Sequence, residues 1–337
     1  MSLKNKSLLI TGGTGTFGSA FVKYCLRNTN LKKIIIFSRD EMKQYIMFNS
    51  FNKNQQSKIR FFIGDIRDKD RLKMAMNGVD FVVHAAALKQ VDTAEYNPFE
   101  AVKTNILGTQ NIIESALNSN VSKVIGLSTD KASSPINLYG ATKLTSDKLL
   151  ISANNYKGKK DISFSVVRYG NVFGSRGSVL NLFLKQSRNK SFTVTDKRMT
   201  RFNITIEDAV KFILNSIEIM KGSEIFIPKL KTYKITDLIR SISNSASIRI
   251  IGLRPGEKLH EEMISKNDPS HILEFKKFYI LLPNSYDLSK YKAIKKNNYK
   301  VLSESFSYNS FDNKNYLTIK ELKSMIANYK NNTNDLL

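Results

Sequence analysis

Cysteine is almost absent from this chain of 337 residues. Cys25 stands alone, which excludes an internal disulfide and any cysteine-built zinc site. Histidine is scarce too: His84, His260 and His271 are scattered without a metal-ligand spacing, so no metal is expected. No stretch of 18 or more apolar residues occurs, so no helix is expected to span a membrane. The opening "MSLKNKSLLITGG" enters a strand without a signal-peptide core, and with a single cysteine the expected setting is a reducing cytoplasm. There is no internal repeat and no low-complexity block. Acidic residues are in deficit, 29 against 53 basic ones, giving a net charge of +24. Such a charge can indicate nucleic acid or an acidic lipid surface. Here the lysines are spread along the whole chain with no basic arm or aromatic-basic module, so a lysine-rich surface is the preferred reading and no nucleic-acid partner is expected. A positive field would still draw in a doubly charged nucleotide substrate.

What is present is an alternation of short apolar runs and amphipathic stretches. "SLLIT" (7–11), "KKIIIF" (32–37), "IRFFIG" (59–64), "DFVVHAA" (80–86), "KVIGLS" (123–128) and "FSVVRY" (164–169) read as strands covered on both faces, with helical patterns between them. Six such strands predict an α/β fold, a Rossmann-type doubly wound parallel sheet, over 1–172. After about residue 172 the regularity is lost, and 173–337 is expected to form a smaller α/β substrate-binding lobe and a polar tail. Helix 206–220 is the segment expected to pack back on the first domain.

"TGGTGTFG" places Gly12, Gly15 and Gly18 at the first strand-helix junction, with Thr14, Thr16 and Phe17 between them. Glycines there permit a tight turn and close backbone approach to a pyrophosphate resting on the helix N-terminus. After the second strand come Ser38, Arg39, Asp40 and, one helical turn on, Lys43. Ser38, Arg39 and Lys43 suit the 2′-phosphate of NADP, the favoured cofactor, while Asp40 keeps NAD as the alternative. Asp65 and Ile66 in "GDIRD" are expected at the adenine ring, and Ala85 in "HAAALK" beside the cofactor. Tyr139 and Lys143 lie four residues apart on one helix face. A nearby ammonium and a bound nicotinamide cation would lower the tyrosine pKa, so that it takes a proton from a hydroxyl while hydride leaves the same carbon.

These motifs resemble the extended short-chain dehydrogenase/reductase superfamily. Within it, "SRDEMKQ", "HAAALKQV", "AEYNPFEAVKTNI", "STDKASSPINLYGATK", "SVVRYGNVFGSRGSV", "RMTRF" and "GLRPGEKLHE" resemble the inverting UDP-N-acetylglucosamine 4,6-dehydratases that open pseudaminic acid synthesis. The resemblance implies an NADP-dependent hydro-lyase whose cofactor is tightly bound and recycled, and whose product is UDP-2-acetamido-2,6-dideoxy-β-L-arabino-hexos-4-ulose. It makes Lys131 the C5 base, neutral when it acts and therefore of lowered pKa. It makes Asp130 the acid at C6 and Thr129 the hydrogen-bond partner of the C4 oxygen. Where retaining relatives carry Asp-Glu, this chain carries Asp130-Lys131. Lys89 would approach the sugar diphosphate and Val172 the cofactor. Asn171, Lys185, Thr195, Arg201, Arg254 and Glu257 would hold the UDP part. A homo-oligomer, dimer or hexamer, is implied as well. Asp92 stands where the family usually has proline and Asn203 where it usually has tryptophan. The alternatives are a UDP-N-acetylglucosamine 4-epimerase, a retaining 4,6-dehydratase and, from another class, a non-catalytic nucleotide- or RNA-binding protein.

Overall fold

Near-continuous runs of β-branched and aromatic residues favour strands buried on both faces. Six of them form β1 (Ser7–Thr11), β2 (Lys33–Ser38), β3 (Ile59–Ile63), β4 (Phe81–His84), β5 (Lys123–Thr129) and β6 (Ser163–Tyr169). The structure is a computed structural model that describes residues 3–175, 177–268, 270–283, 299–303 and 305–334; the last three residues of the polar tail therefore lie outside the described residues. The spatial order is β3-β2-β1-β4-β5-β6, all parallel. This is the doubly wound Rossmann arrangement that the strand-helix alternation predicts. The strand order reverses between β1 and β4, which opens a crevice at their carboxyl ends.

The chain beyond residue 172 returns to this sheet. Ile225–Pro228 lies parallel beside β6, and Phe278–Pro283, Ser270–Glu274 and Lys300–Leu302 continue outward as antiparallel strands to make ten. Helix Ile206–Ile219 starts at a Thr205 cap and packs on α1 (Thr16–Asn28). Its buried Ile213 and Ile217 join the same core as Ile10, Val83 and Phe164. A separate, smaller core gathers Leu180, Phe183, Phe192, Leu238, Leu322 and Ile326 from helices Val179–Gln186, Ile235–Ile242 and Ile319–Asn334 and the strand Ser191–Val194. Residues of both units line one large cavity.

Candidate active site

The β1–α1 turn is built around a close approach. Gly12 takes φ +66°, a left-handed conformation that glycine adopts without strain. A Cβ on Gly18 would stand 2.5 Å from the Gly12 carbonyl oxygen and from the Gly13 Cα, so only a hydrogen fits. The helix begins at Gly15 with no side-chain cap, leaving its first N–H groups to whatever fills the crevice. Behind the turn, the Thr11 hydroxyl accepts N–H bonds from Ala85 and Ala86 and therefore donates to His84 Nδ1, 2.8 Å away. The other ring nitrogen meets Thr109 at 3.2 Å. Burial, then the Lys143 charge, pushes the His84 pKa down to about 3, so this histidine is a neutral strut.

The cavity measures about 1140 Å³ and runs from Gly12, Thr14, Gly15, Thr16, Phe17 and Gly18 past Tyr139 to Arg254 and Glu257. Ser38, Arg39, Asp40, Lys43, Asp65 and Ile66 line one end. There Asp40 caps the helix Glu41–Asn49 and holds Lys43 Nζ at 2.6 Å, while the Ser38 hydroxyl accepts from Gln44. Arg39 stays largely exposed, with Asp65 3.5 Å away. Ala85, Lys89, Asn171, Val172 and Thr195 also reach the cavity wall. Lys185 does not: Leu180 and Phe183 take the inward face of its helix, and Lys185 is left on the solvent side. Of the two departures noted in the sequence, Asp92 and Asn203 both line the cavity, and the Asn203 Oδ1 is buried without a hydrogen-bond partner among the described residues.

At the end of β5 the chain enters a single tight turn, Asp130–Ala132, and Thr129 caps it by accepting the Lys131 N–H. The turn points two neighbouring side chains into one cluster. Thr129 Oγ1 donates to Asp130 Oδ1 at 2.8 Å, and Lys131 Nζ meets the same oxygen at 3.2 Å. Lys131 Nζ also meets Glu261 Oε1 at 3.2 Å. Glu261, from a segment 130 residues further on, is the member that sequence reading missed. It is the last residue of the "GLRPGEKLHE" stretch, and nothing local sets it apart from its neighbour Glu262. Asp130 Oδ2 and Glu261 Oε2 are buried without a partner among the described residues.

Four expectations change here, those for Lys131, Tyr139, Asp130 and Arg201. Burial alone would lower the Lys131 pKa, but the carboxylates of Asp130 and Glu261 outweigh it and hold the amine above its ordinary value. Tyr139 is also raised rather than lowered, to about 12, chiefly by burial; the cation that pulls against this is Lys131, not Lys143. Lys143 itself is depressed by burial, against the pull of Asp147. Asp130 is wholly buried behind Thr129 and Lys131 and does not reach the cavity surface, so any proton it supplies must pass through one of them. Arg201 lines the cavity but spends its donors on the carbonyls of Thr200, Lys258 and Leu259, with Glu261 3.5 Å from its Nε. Arg254 is the exposed arginine at this end.

A family described as "Polysaccharide biosynthesis protein" matches residues 8–283. The chain belongs to this family. Among the family's relatives, an inverting UDP-N-acetylglucosamine 4,6-dehydratase of Campylobacter jejuni is 51% identical over 95% of this chain and 97% of its own length. A UDP-glucose 4-epimerase of Rickettsia prowazekii is 39% identical over 96% of this chain and 95% of its own. The X-ray structure of Pen from Bacillus thuringiensis superimposes with a TM-score of 0.87 at 38% identity, covering 98% of this chain and 99% of that one. No helix among the described residues is long and apolar enough to cross a membrane.

Proposed function

We propose that this polysaccharide-biosynthesis protein is an inverting UDP-N-acetylglucosamine 4,6-dehydratase. The observation that carries the reading is the amine of Lys131, set between two buried carboxylates on the wall of the cavity that also holds Tyr139. An epimerase has no need of a base at C5, and a retaining dehydratase prefers a carboxylate in this place.

The glycine turn, with the space a Cβ would fill at Gly18 and the uncapped start of α1, fits a dinucleotide pyrophosphate. Arg39 is largely exposed at the ribose end, held only by a 3.5 Å contact with Asp65, whereas Asp40 is committed to Lys43 at 2.6 Å, which supports NADP over NAD. A nicotinamide bound there would supply the hydride chemistry, as acceptor for the hydride from C4 of the sugar and donor of it to C6. Tyr139 takes the C4 hydroxyl proton; the positive charge of Lys131 pulls against the burial that raises its pKa, and the charge of an oxidised nicotinamide would add to that pull. Once C4 is a carbonyl the C5 hydrogen is acidic, and the neutral Lys131 amine removes it. Asp130 provides the proton for the departing C6 hydroxyl, delivered through the Thr129 hydroxyl that bonds it at 2.8 Å. Once the unsaturated ring has turned its other face to Lys131, return of the proton to C5 by the ammonium inverts that centre. Lys89, Asn171, Thr195, Arg254 and Glu257 line the part of the cavity assigned to the UDP moiety.

The test is turnover of UDP-N-acetylglucosamine in deuterated water. Deuterium at C5 with the L-arabino configuration is expected. Unchanged C5 configuration, or a UDP-N-acetylgalactosamine product, refutes the reading in favour of a retaining dehydratase or the epimerase suggested by the Rickettsia relative.

A further inference from the structure

Two carboxylates meet one amine, and the dehydratase reading gives work to only one of them. Removing a proton from C5 turns the neutral Lys131 amine into an ammonium. At that moment Asp130 is needed as a neutral acid, so it cannot balance the new charge. Glu261 can. Its Oε1 lies 3.2 Å from Lys131 Nζ, and the Arg201 guanidinium lies 3.5 Å behind that same oxygen. Its backbone N–H is fixed by Ser310 Oγ at 2.8 Å, and Ser310 is tied in turn to Thr200 at 2.7 Å. The Asp130 carboxylate hydrogen-bonds to Thr129 and Lys131, and among the described residues no arginine pairs with it.

We propose that Glu261, held in place beside Arg201, is the standing counter-ion of the Lys131 base, a positioning residue for the dehydration step. The proposal rests on the dehydratase reading.

The proton balance follows. In the resting cluster Lys131 is an ammonium and Glu261 a carboxylate. Lys131 hands one proton to Asp130 across 3.2 Å, leaving a neutral amine and a neutral carboxylic acid. The amine then takes the C5 proton: the C–H bond breaks, an N–H bond forms, and the C–H electron pair becomes the C5–C6 double bond. The C6–O bond breaks, and its oxygen leaves as water with the proton from Asp130. The regenerated ammonium faces the Glu261 carboxylate and afterwards returns its proton to C5. The two carboxyls are driven apart accordingly: burial, and then the Glu261 charge, raises Asp130, while for Glu261 burial is outweighed by Lys131 and Arg201, which lower it. Such divergence between neighbours is how acid and counter-ion roles are separated. The charged or titratable groups facing Lys131 are Asp130, Glu261, Arg201 and Tyr139, with Lys258 and Tyr233 nearby.

Glu261→Gln keeps the shape and an acceptor for Lys131 but removes the charge. It is expected to bind UDP normally and to form reduced nicotinamide from UDP-N-acetylglucosamine. Deuterium uptake at C5 should slow by about 100-fold, and the rising limb of the kcat pH profile should move to lower pH as Lys131 loses an anion. Glu261→Asp should keep the limb in place and recover part of the rate. An amide variant with the C5 exchange rate and pH profile of the parent overturns the proposal. If the amide variant does not fold, an Asp variant with its limb displaced to lower pH overturns it as well. Absence of C5 deuterium in the parent enzyme sinks the dehydratase reading itself, an outcome separate from either.

Discussion

Replacing Lys131 by methionine keeps most of the side-chain volume and deletes the charge between Asp130 and Glu261. Glu261 retains Arg201 beside it; Asp130, fully buried, retains only the Thr129 hydroxyl. Its pKa is already raised by burial, against the pull of Lys131, so losing the amine raises it further. The sign follows from linkage: a carboxyl whose folded pKa exceeds its unfolded value near 4 stabilises below that value and loses this contribution as pH climbs toward the folded pKa. The variant should therefore be nearly as stable as the parent in mild acid and fall behind toward neutrality. The gap can widen by up to about 1.4 kcal/mol per pH unit, or about 3 kcal/mol between about pH 5 and pH 7. With an unfolding entropy of about 0.7 kcal/mol/K for a chain of this length, that is about 4 °C in melting temperature. Differential scanning calorimetry of both proteins across this range measures it. A gap that stays constant, or that widens on acidification, refutes the assignment of a buried, amine-dependent proton to Asp130.

Tyr139→Phe should abolish formation of reduced nicotinamide from UDP-N-acetylglucosamine while leaving UDP affinity unchanged, whereas Lys131→Ala should still oxidise C4 slowly and stall before dehydration; rapid-mixing absorbance separates the two. Gly18→Ala sets a Cβ 2.5 Å from backbone atoms that cannot rotate away. The resulting clash should cost about 1–3 kcal/mol, partly offset by about 1 kcal/mol of helix propensity, and should weaken dinucleotide binding measured by calorimetry. Arg39→Ala should lower NADP affinity by about 10- to 100-fold, the worth of a charged hydrogen bond, and leave NAD affinity unaltered.

Much of the site was legible because its parts are local. The glycine turn and the Asp130-Lys131 pair each lie within a few residues of a strand end, where the doubly wound fold gathers ligands, and the Tyr139-Lys143 spacing falls in the first turns of the helix after β5. Glu261 was not legible: it is joined to Lys131 only by tertiary packing across 130 residues. The direction of the Lys131 shift failed for the same reason, since burial predicts a lowered amine and only a count of surrounding carboxylates reverses it. Arg201 looked like a phosphate clamp because arginine suits phosphate; the carbonyls that occupy it belong to residues 258 and 259, far along the chain. The antiparallel strands after residue 225 extend the sheet by pairing across long sequence intervals, and periodicity carries no information about which edge a strand joins.

The small core has a consequence for how the protein can be cut. Leu317, Leu322 and Ile326 pack with Leu180, Phe183 and Phe192, although more than a hundred residues separate the two groups. A chain shortened before the helix Ile319–Asn334 would keep all of β1–β6 and still grip a dinucleotide. It would lose the buttress behind the far wall of the cleft, so loss of sugar-nucleotide retention should precede loss of cofactor retention as the carboxyl end is trimmed back.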